Sequence, residues 1–412
     1  MFSRRLVLGS AAGVALAPVL AKAAPASAAI TRAAQALPIS GEERAARIAK
    51  VQRLMQQANI GALLVEPGSS LVYFTGVEWW RSERLTAALI PAEGDVVVVT
   101  PFFEAPSIRE SLAIPATIRT WNEHENPLKL VADWVREKKL TAKPVAIEET
   151  VRHFIVDGLQ KALPGVQVVN GAGVVRGCRM HKSAAEIALM KAAADITTSA
   201  FRAVGGQIAA GMTPGDIEAL IIAETAKRGG KGGDALVLIG EATAYPHGSH
   251  KPQIVREGES ILLDGGCSVH GYVSDISRSF VFGEPSKRQR DVWAQVRQGQ
   301  QIAFEAAQIR RSCGSVDDAV RGWYEKIGYG PGYALPGLSH RTGHGIGMDG
   351  HEPVNLVHGE TTPLAAGMCF SNEPGLYIPG NFGIRLEDCF YMTEQGPEWF
   401  SVPPPSIDRP FS

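Results

Sequence analysis

The strongest constraint on this chain is where its acid lies, because in the C-terminal half single carboxylates interrupt the most apolar and glycine-rich runs. Asp264 ends Ile261-Leu262-Leu263-Asp264-Gly265-Gly266, and Asp275 follows in Gly271-Tyr272-Val273-Ser274-Asp275-Ile276. A turn near His270-Gly271 would fold these two strand-like stretches together. Glu373 lies in Met368-Cys369-Phe370-Ser371-Asn372-Glu373-Pro374-Gly375, and Glu387 in Phe382-Gly383-Ile384-Arg385-Leu386-Glu387-Asp388, each read as a glutamate within an otherwise apolar strand. A charge in such a setting is costly to bury unless it is paired or bound to a metal, so each carboxylate asks for a partner. Either aspartate alone is better explained by a surface turn.

Between the two carboxylate pairs runs Ser339-His340-Arg341-Thr342-Gly343-His344-Gly345-Ile346-Gly347. His340 and His344 have the i, i+4 spacing of a helical zinc motif, but glycines on both sides of His344 argue against a helix. One histidine is therefore read as a ligand and the other as its neighbour.

At 412 residues the chain has room for two domains with separate cores. Apolar strand-like runs at Gly61–Val65, Ala87–Pro91, Asp95–Thr100, Pro144–Glu148 and Val166–Val169 alternate with helices over 42–59 and 128–138. This predicts an α/β N-terminal domain over residues 41–175. A capping box at Ser183-Ala184-Ala185-Glu186 opens a helix, and Thr213-Pro214-Gly215-Asp216 opens a second that Gly229-Gly230 stops. Ser286–Gln289 opens another, reaching about Arg311, and Ser315–Asp318 opens one ending before Gly328. Two helix pairs, each followed by strand-rich sequence, predict a structural duplication over residues 180–405.

Lysine plus arginine number 41 against 42 acidic residues, so no general attraction to nucleic acid is visible. Arg4-Arg5, the apolar stretch Leu6–Leu20 and Ala26-Ser27-Ala28 read as a signal peptide over residues 1–28, followed by a linker over 29–40. Ser3-Arg4-Arg5-Leu6-Val7-Leu8 is similar to a twin-arginine export signal, which implies a periplasmic protein with no stable membrane anchor after processing. The five cysteines form no CxxC pair, and they are expected to be free, mostly buried thiols.

In order and local context, Asp264, Asp275, His344, Glu373 and Glu387 resemble the five metal ligands of the pita-bread metallopeptidase family, which includes methionine aminopeptidase, Xaa-Pro aminopeptidase and prolidase. Gly343-His344-Gly345-Ile346-Gly347 with His351-Glu352-Pro353, and Ile384-Arg385-Leu386-Glu387-Asp388, resemble its proline-specific branch; Tyr73-Phe74-Thr75-Gly76 is similar to a creatinase-type N-terminal domain. The resemblance implies that Asp264 chelates one metal, that His344 and Glu373 bind the other, and that Asp275 and Glu387 bridge the pair. Four carboxylates and an imidazole suit two divalent ions, manganese first, with cobalt, zinc or iron also fitting. It further implies that Glu373 takes the proton of the attacking water, that His247 and His351 contact substrate, and that Arg385 holds a ligand carboxylate. His340 and His250 stay open between orienting substrate and capping a turn. Tyr377 is a candidate for the pocket wall, with simple packing as the alternative. Trp79-Trp80-Arg81 is read as interdomain packing or as part of a homodimer contact.

The implied activity is cleavage of Xaa-Pro bonds in small proline-containing peptides. Two other readings stand beside it: another reaction on the same metals, namely dimethylsulfoniopropionate lysis or phosphotriester hydrolysis, and a non-catalytic pita-bread binding module.

Overall fold

The structure is a computed structural model that describes residues 36–411. The proposed export signal and the linker up to residue 35 lie outside the described residues.

The N-terminal part contains α1 (Gly41–Gln57), β1 (Ala62–Val65), α2 (Ser69–Thr75), β2 (Ala87–Pro91), β3 (Val96–Pro101), α3 (Ala105–Ser111), β4 (Ala116–Trp121), α4 (Pro127–Glu137), β5 (Val145–Ile147), α5 (His153–Ala162), β6 (Val168–Asn170) and α6 (Ala172–Arg179). Its six strands form one mixed sheet in the order β4-β3-β2-β1-β5-β6, with β1 antiparallel to β2 and parallel to β5. The apolar runs lack a polar face because helices cover both sides of the sheet. Leu63 and Val65 pack with Val51 and Met55 of α1, while Ala62 and Leu64 face Trp134 and Val135 of α4. Edge strand β4 escaped the sequence reading, because half-exposed Ala116 to Thr120 carry no continuous apolar signal. Helix α6 runs through position 175, and its Val174, Val175 and Cys178 belong to the N-terminal core.

The C-terminal part contains α7 (Ala184–Gly205), α8 (Pro214–Lys227), β7 (Lys231–Ile239), a 3-10 turn (Gly240–Ala244), β8 (Ser260–Val269), β9 (Tyr272–Val273) and β10 (Ile276–Val281). After these come α9 (Lys287–Ala306), α10 (Gly314–Lys326), β11 (Gly343–Gly345), β12 (Glu352–Leu356), β13 (Cys369–Asn372), β14 (Gly375–Ile378), β15 (Phe382–Arg385), β16 (Asp388–Thr393) and β17 (Gly396–Trp399). Reciprocal capping boxes at Ser183/Glu186, Thr213/Asp216 and Ser286/Gln289 open α7, α8 and α9. Two boundaries differ from expectation: α9 stops at Ala306, and α10 begins at Gly314 with Cys313 rather than Ser315 as its cap.

Each helix pair covers its own antiparallel sheet. Helices α7 and α8 share a core with β7, β8 and β10, whereas α9 and α10 share one with β12 to β16. The two sheets meet where Ser277 and Glu387 exchange backbone hydrogen bonds of 3.3 and 3.2 Å. Buried Arg278 fastens this seam, donating to the Glu387 carbonyl at 2.8 Å and to Asp388 Oδ1 at 2.7 Å, and Gln300 Nε2 donates to Asp388 Oδ2 at 3.1 Å. Losing one member of such a buried pair costs about 3 to 5 kcal/mol, so the seam is stiff where the ligand-like side chains project.

Candidate metal centre

Each acidic side chain reaches the seam from a different element. Asp264 lies in the interior of β8 rather than at its end, paired with Ser277 of β10. Asp275 sits in the break between β9 and β10, Glu373 directly follows β13, and Glu387 fills the gap between β15 and β16. Three of the four carboxylates thus stand at strand breaks, where the backbone is released from strict alternation and the side chain is free to turn inward. The His270-Gly271 turn forms as predicted, with φ of 47° and 85°, and pairs Val269 with Tyr272. His344 is on β11, not on a helix.

The five candidate metal ligands (Asp264, Asp275, His344, Glu373 and Glu387) and the three residues expected to assist them (His247, His351 and Arg385) line one cavity of about 290 Å³, together with Pro246, His340 and Arg341. His250 is exposed and outside its lining, and the Trp79–Trp80 pair stacks on itself at 4.3 Å in the N-terminal part. Ligand-type atoms of Asp264, Asp275 and Glu387 lie within 4.8 Å of one another, as do those of His344, Glu373 and Glu387, and those of Asp275, His344 and His351. The first two groups share Glu387, so they describe two adjacent cation positions with a common carboxylate.

Hydrogen bonding fixes the orientation. The His344 Nδ1–H donates to the Gly345 carbonyl at 3.0 Å, which leaves Nε2 as a lone pair facing Glu373 Oε1 at 3.3 Å and Asp275 Oδ2 at 3.8 Å. An imidazole lone pair and two carboxylate oxygens face one another only if a proton or a cation lies between them. Without a cation that proton is held: burial disfavours a charged His344, but the hydrogen bond to Glu373 together with the Glu373 and Asp275 charges outweighs it and raises its pKa. Burial likewise pushes Glu373 up, but the hydrogen bond to His344 together with the surrounding His340, His344 and Arg385 outweighs it and brings the carboxyl down to about 2. Burial, then the neighbouring Asp264, raises Asp275 to about 7, and burial with Asp275, Glu373 and Asp264 raises Glu387 well above the carboxylate range. The cluster is therefore short of positive charge. Glu387 Oε1 is, in addition, a buried oxygen without a hydrogen-bond partner. Both features fit divalent ions among these five residues.

Arg385 extends behind the cluster: it pairs with Asp264, donates Nε to Ser277 Oγ at 3.2 Å and Nη1 to the Pro246 carbonyl at 2.9 Å. The ligand-type carboxylate that Arg385 holds is that of Asp264. Ser277, which escaped notice, donates from Oγ to Asp264 Oδ1 (2.7 Å) or Glu387 Oε2 (2.8 Å). Its only sequence signal was its place two residues after Asp275. Tyr377 is fully buried behind the wall, and its hydroxyl meets His340 Nε2 at 2.7 Å and Arg385 Nη1 at 3.2 Å. Burial lowers the His340 pKa, so its imidazole is neutral and Nε2 accepts the Tyr377 proton. All five cysteines are free and buried, as expected; Cys389 Sγ donates to the Asp275 carbonyl at 3.2 Å.

Comparison with known proteins agrees with this geometry. Residues 188–394 match the model of metallopeptidase family M24, and residues 47–181 match the Creatinase/Prolidase N-terminal domain. The chain is 30% identical to the Xaa-Pro dipeptidase of Lactobacillus helveticus over 85% of its own length and 95% of that protein. Dipeptidase PepE from Mycobacterium ulcerans superposes with a TM-score of 0.81 at 30% identity, covering 89% of this chain and 98% of that one. A prolidase from Thermococcus sibiricus gives 0.78 at 27% identity, covering 86% and 96%. A creatinase-type α/β domain leading into a duplicated α/β half with a carboxylate-rich seam, and relatives that cover nearly all of both chains, place this protein in metallopeptidase family M24.

Proposed function

We propose that this protein hydrolyses the Xaa-Pro bond of small peptides at a centre of two divalent ions, manganese first among them. Asp264 would hold one ion, His344 and Glu373 the other, with Asp275 and Glu387 shared. Two such ions, when bound, lower the pKa of water and polarise a carbonyl. The chain's own groups do the rest. Glu373 receives the proton of the attacking water at a carboxylate oxygen, Arg385 and Ser277 keep the Asp264 and Glu387 carboxylates turned inward, and His351 and His247 face the peptide at the mouth of the cavity. His351 is suited to hydrogen-bond the oxygen that gains charge, because burial and the nearby His344 lower its pKa and keep it neutral. A cavity of about 290 Å³ is at the small end for ligand pockets, as a short peptide requires.

The observation that carries this reading is the convergence of the five candidate ligands and the three assisting residues on one cavity around a buried, unpartnered Glu387 oxygen. A panel of Xaa-Pro dipeptides, Xaa-Pro-Yaa tripeptides, dimethylsulfoniopropionate and a phosphotriester, each with added manganese, tests it. Turnover of the proline peptides is expected; turnover confined to either of the last two sinks the reading.

Export to the periplasm by the twin-arginine route is proposed from Arg4-Arg5. Replacing both with lysine is expected to retain the protein in the cytoplasm, and unchanged export would exclude that route.

A further inference from the structure

A buried carboxylate ties the N-terminal part to the loop that carries His351. Four donors converge on Glu352, which is 5% exposed: Arg179 Nη2 at 2.6 Å, Lys182 Nζ at 2.9 Å, and the backbone N–H groups of Met348 at 2.9 Å and Asp349 at 3.2 Å. Arg179 ends α6 in the N-terminal part, and Lys182 lies in the connector before α7. Arg179 Nη2 also reaches Asp349 at 2.8 Å, and Ser69 at the start of α2 donates to the same carboxylate. Burial pushes the Glu352 carboxyl up, but Lys182 and Arg179 outweigh it and hold it at about 2. It is therefore an anion throughout the working pH range.

The next residue back, His351, has no comparable anchor. Among the described residues no hydrogen bond holds its imidazole, which instead rests against the His344 ring at 4.1 Å. Its position is inherited from the backbone that Glu352 fixes. Gly347 belongs to the same device, since a Cβ there would lie 2.7 Å from Lys182 Cε and 2.8 Å from Glu352 Oε1.

We propose that Glu352, Arg179 and Lys182 are positioning residues that set His351 against the metal centre, so that docking of the N-terminal domain governs the hydrolytic rate. The inference rests on the role given to His351 above. Lys182→Met, which leaves the Arg179 contact in place, is expected to lower kcat about tenfold, the lower end of outer-shell losses, with KM and bound metal unchanged. Lys182→Arg restores most of it. In a His351→Ala background the same substitution costs nothing further, because the group it acts through is gone. Arg179→Gln offers a second cycle with the same expected outcome should Lys182→Met fail to fold. Losses that multiply in the double variant, or a change in KM alone, overturn the proposal. If the wild type cleaves no Xaa-Pro peptide, the functional reading fails instead. The cluster is then read from the His351 imidazole NMR resonance, identified by its loss in His351→Ala: movement of that resonance in Lys182→Met supports the positioning role, and a fixed resonance overturns it.

Discussion

At the scale of single residues the site is defined by which atoms lack a partner. Glu373 faces the His344 lone pair, and it is proposed both to bind metal and to accept a proton. Glu373→Gln keeps the shape and one acceptor oxygen but removes the charge. Metal affinity is expected to fall, and turnover to drop about a hundredfold or more, the usual scale for loss of a general base. His351→Ala should behave differently, leaving both metals bound while costing at most about 3 to 4 kcal/mol of barrier, as for one oxyanion donor. Metal analysis beside kinetics on the two variants separates the roles, and full activity in Glu373→Gln would refute the central assignment. A pH dependence follows from Asp275, whose carboxyl rises from 3.8 to about 7 in the metal-free fold. Between those values the folded form binds more protons than the unfolded chain, so this contribution is complete below 3.8 and is lost as pH rises through about 7. Metal-free protein should thus unfold more easily in denaturant at pH 8 than at pH 5, and added manganese should reverse the order. An unchanged order after metal addition would argue against Asp275 as a ligand. The ligand-type residues were legible because an acid inside an apolar run is anomalous in one dimension. Ser277 was not, because a serine in a strand is ordinary until its hydroxyl is seen between charged groups.

At the scale of elements the signals were uneven for a physical reason. Helices α7, α8 and α9 announce their starts because capping is a local exchange between side chain and backbone within four residues. Strand breaks carry no such signature, and the glutamates expected inside strands proved to sit at their edges. Two substitutions separate local from tertiary requirements. Thr213→Ala removes the α8 cap, remote from the cavity, and should cost about 1 kcal/mol in denaturant unfolding with activity intact. Gly347→Ala forces a Cβ against Lys182 and Glu352 and should cost about 1 to 3 kcal/mol by overpacking, with a fall in kcat as well. Unchanged stability and rate in the Gly347→Ala enzyme would show that the loop adapts freely.

At the scale of the whole molecule, the N-terminal part exposes three large aromatic side chains, Trp80 at 64%, Phe102 at 67% and Phe103 at 57%. Exposed aromatics in one region suit a protein contact, and a homodimer through this part is the expected assembly. Light scattering at micromolar concentration should report twice the chain mass, and Trp80→Ser should weaken the association; a monomer throughout would refute it. The residue order by itself determined the α/β class, the starts of α7, α8 and α9 and the set of candidate metal-holding groups, because periodicity, capping and misplaced charge are properties of neighbours along the chain. Only the tertiary structure decided that Arg385 holds Asp264, that Ser277 and Glu387 join the two half-sheets, and that Arg179 and Lys182 meet on Glu352. Those contacts span from 110 to 173 positions of sequence, and over such separations it is the packing of helices on sheets, rather than any local preference, that selects which polar atoms meet.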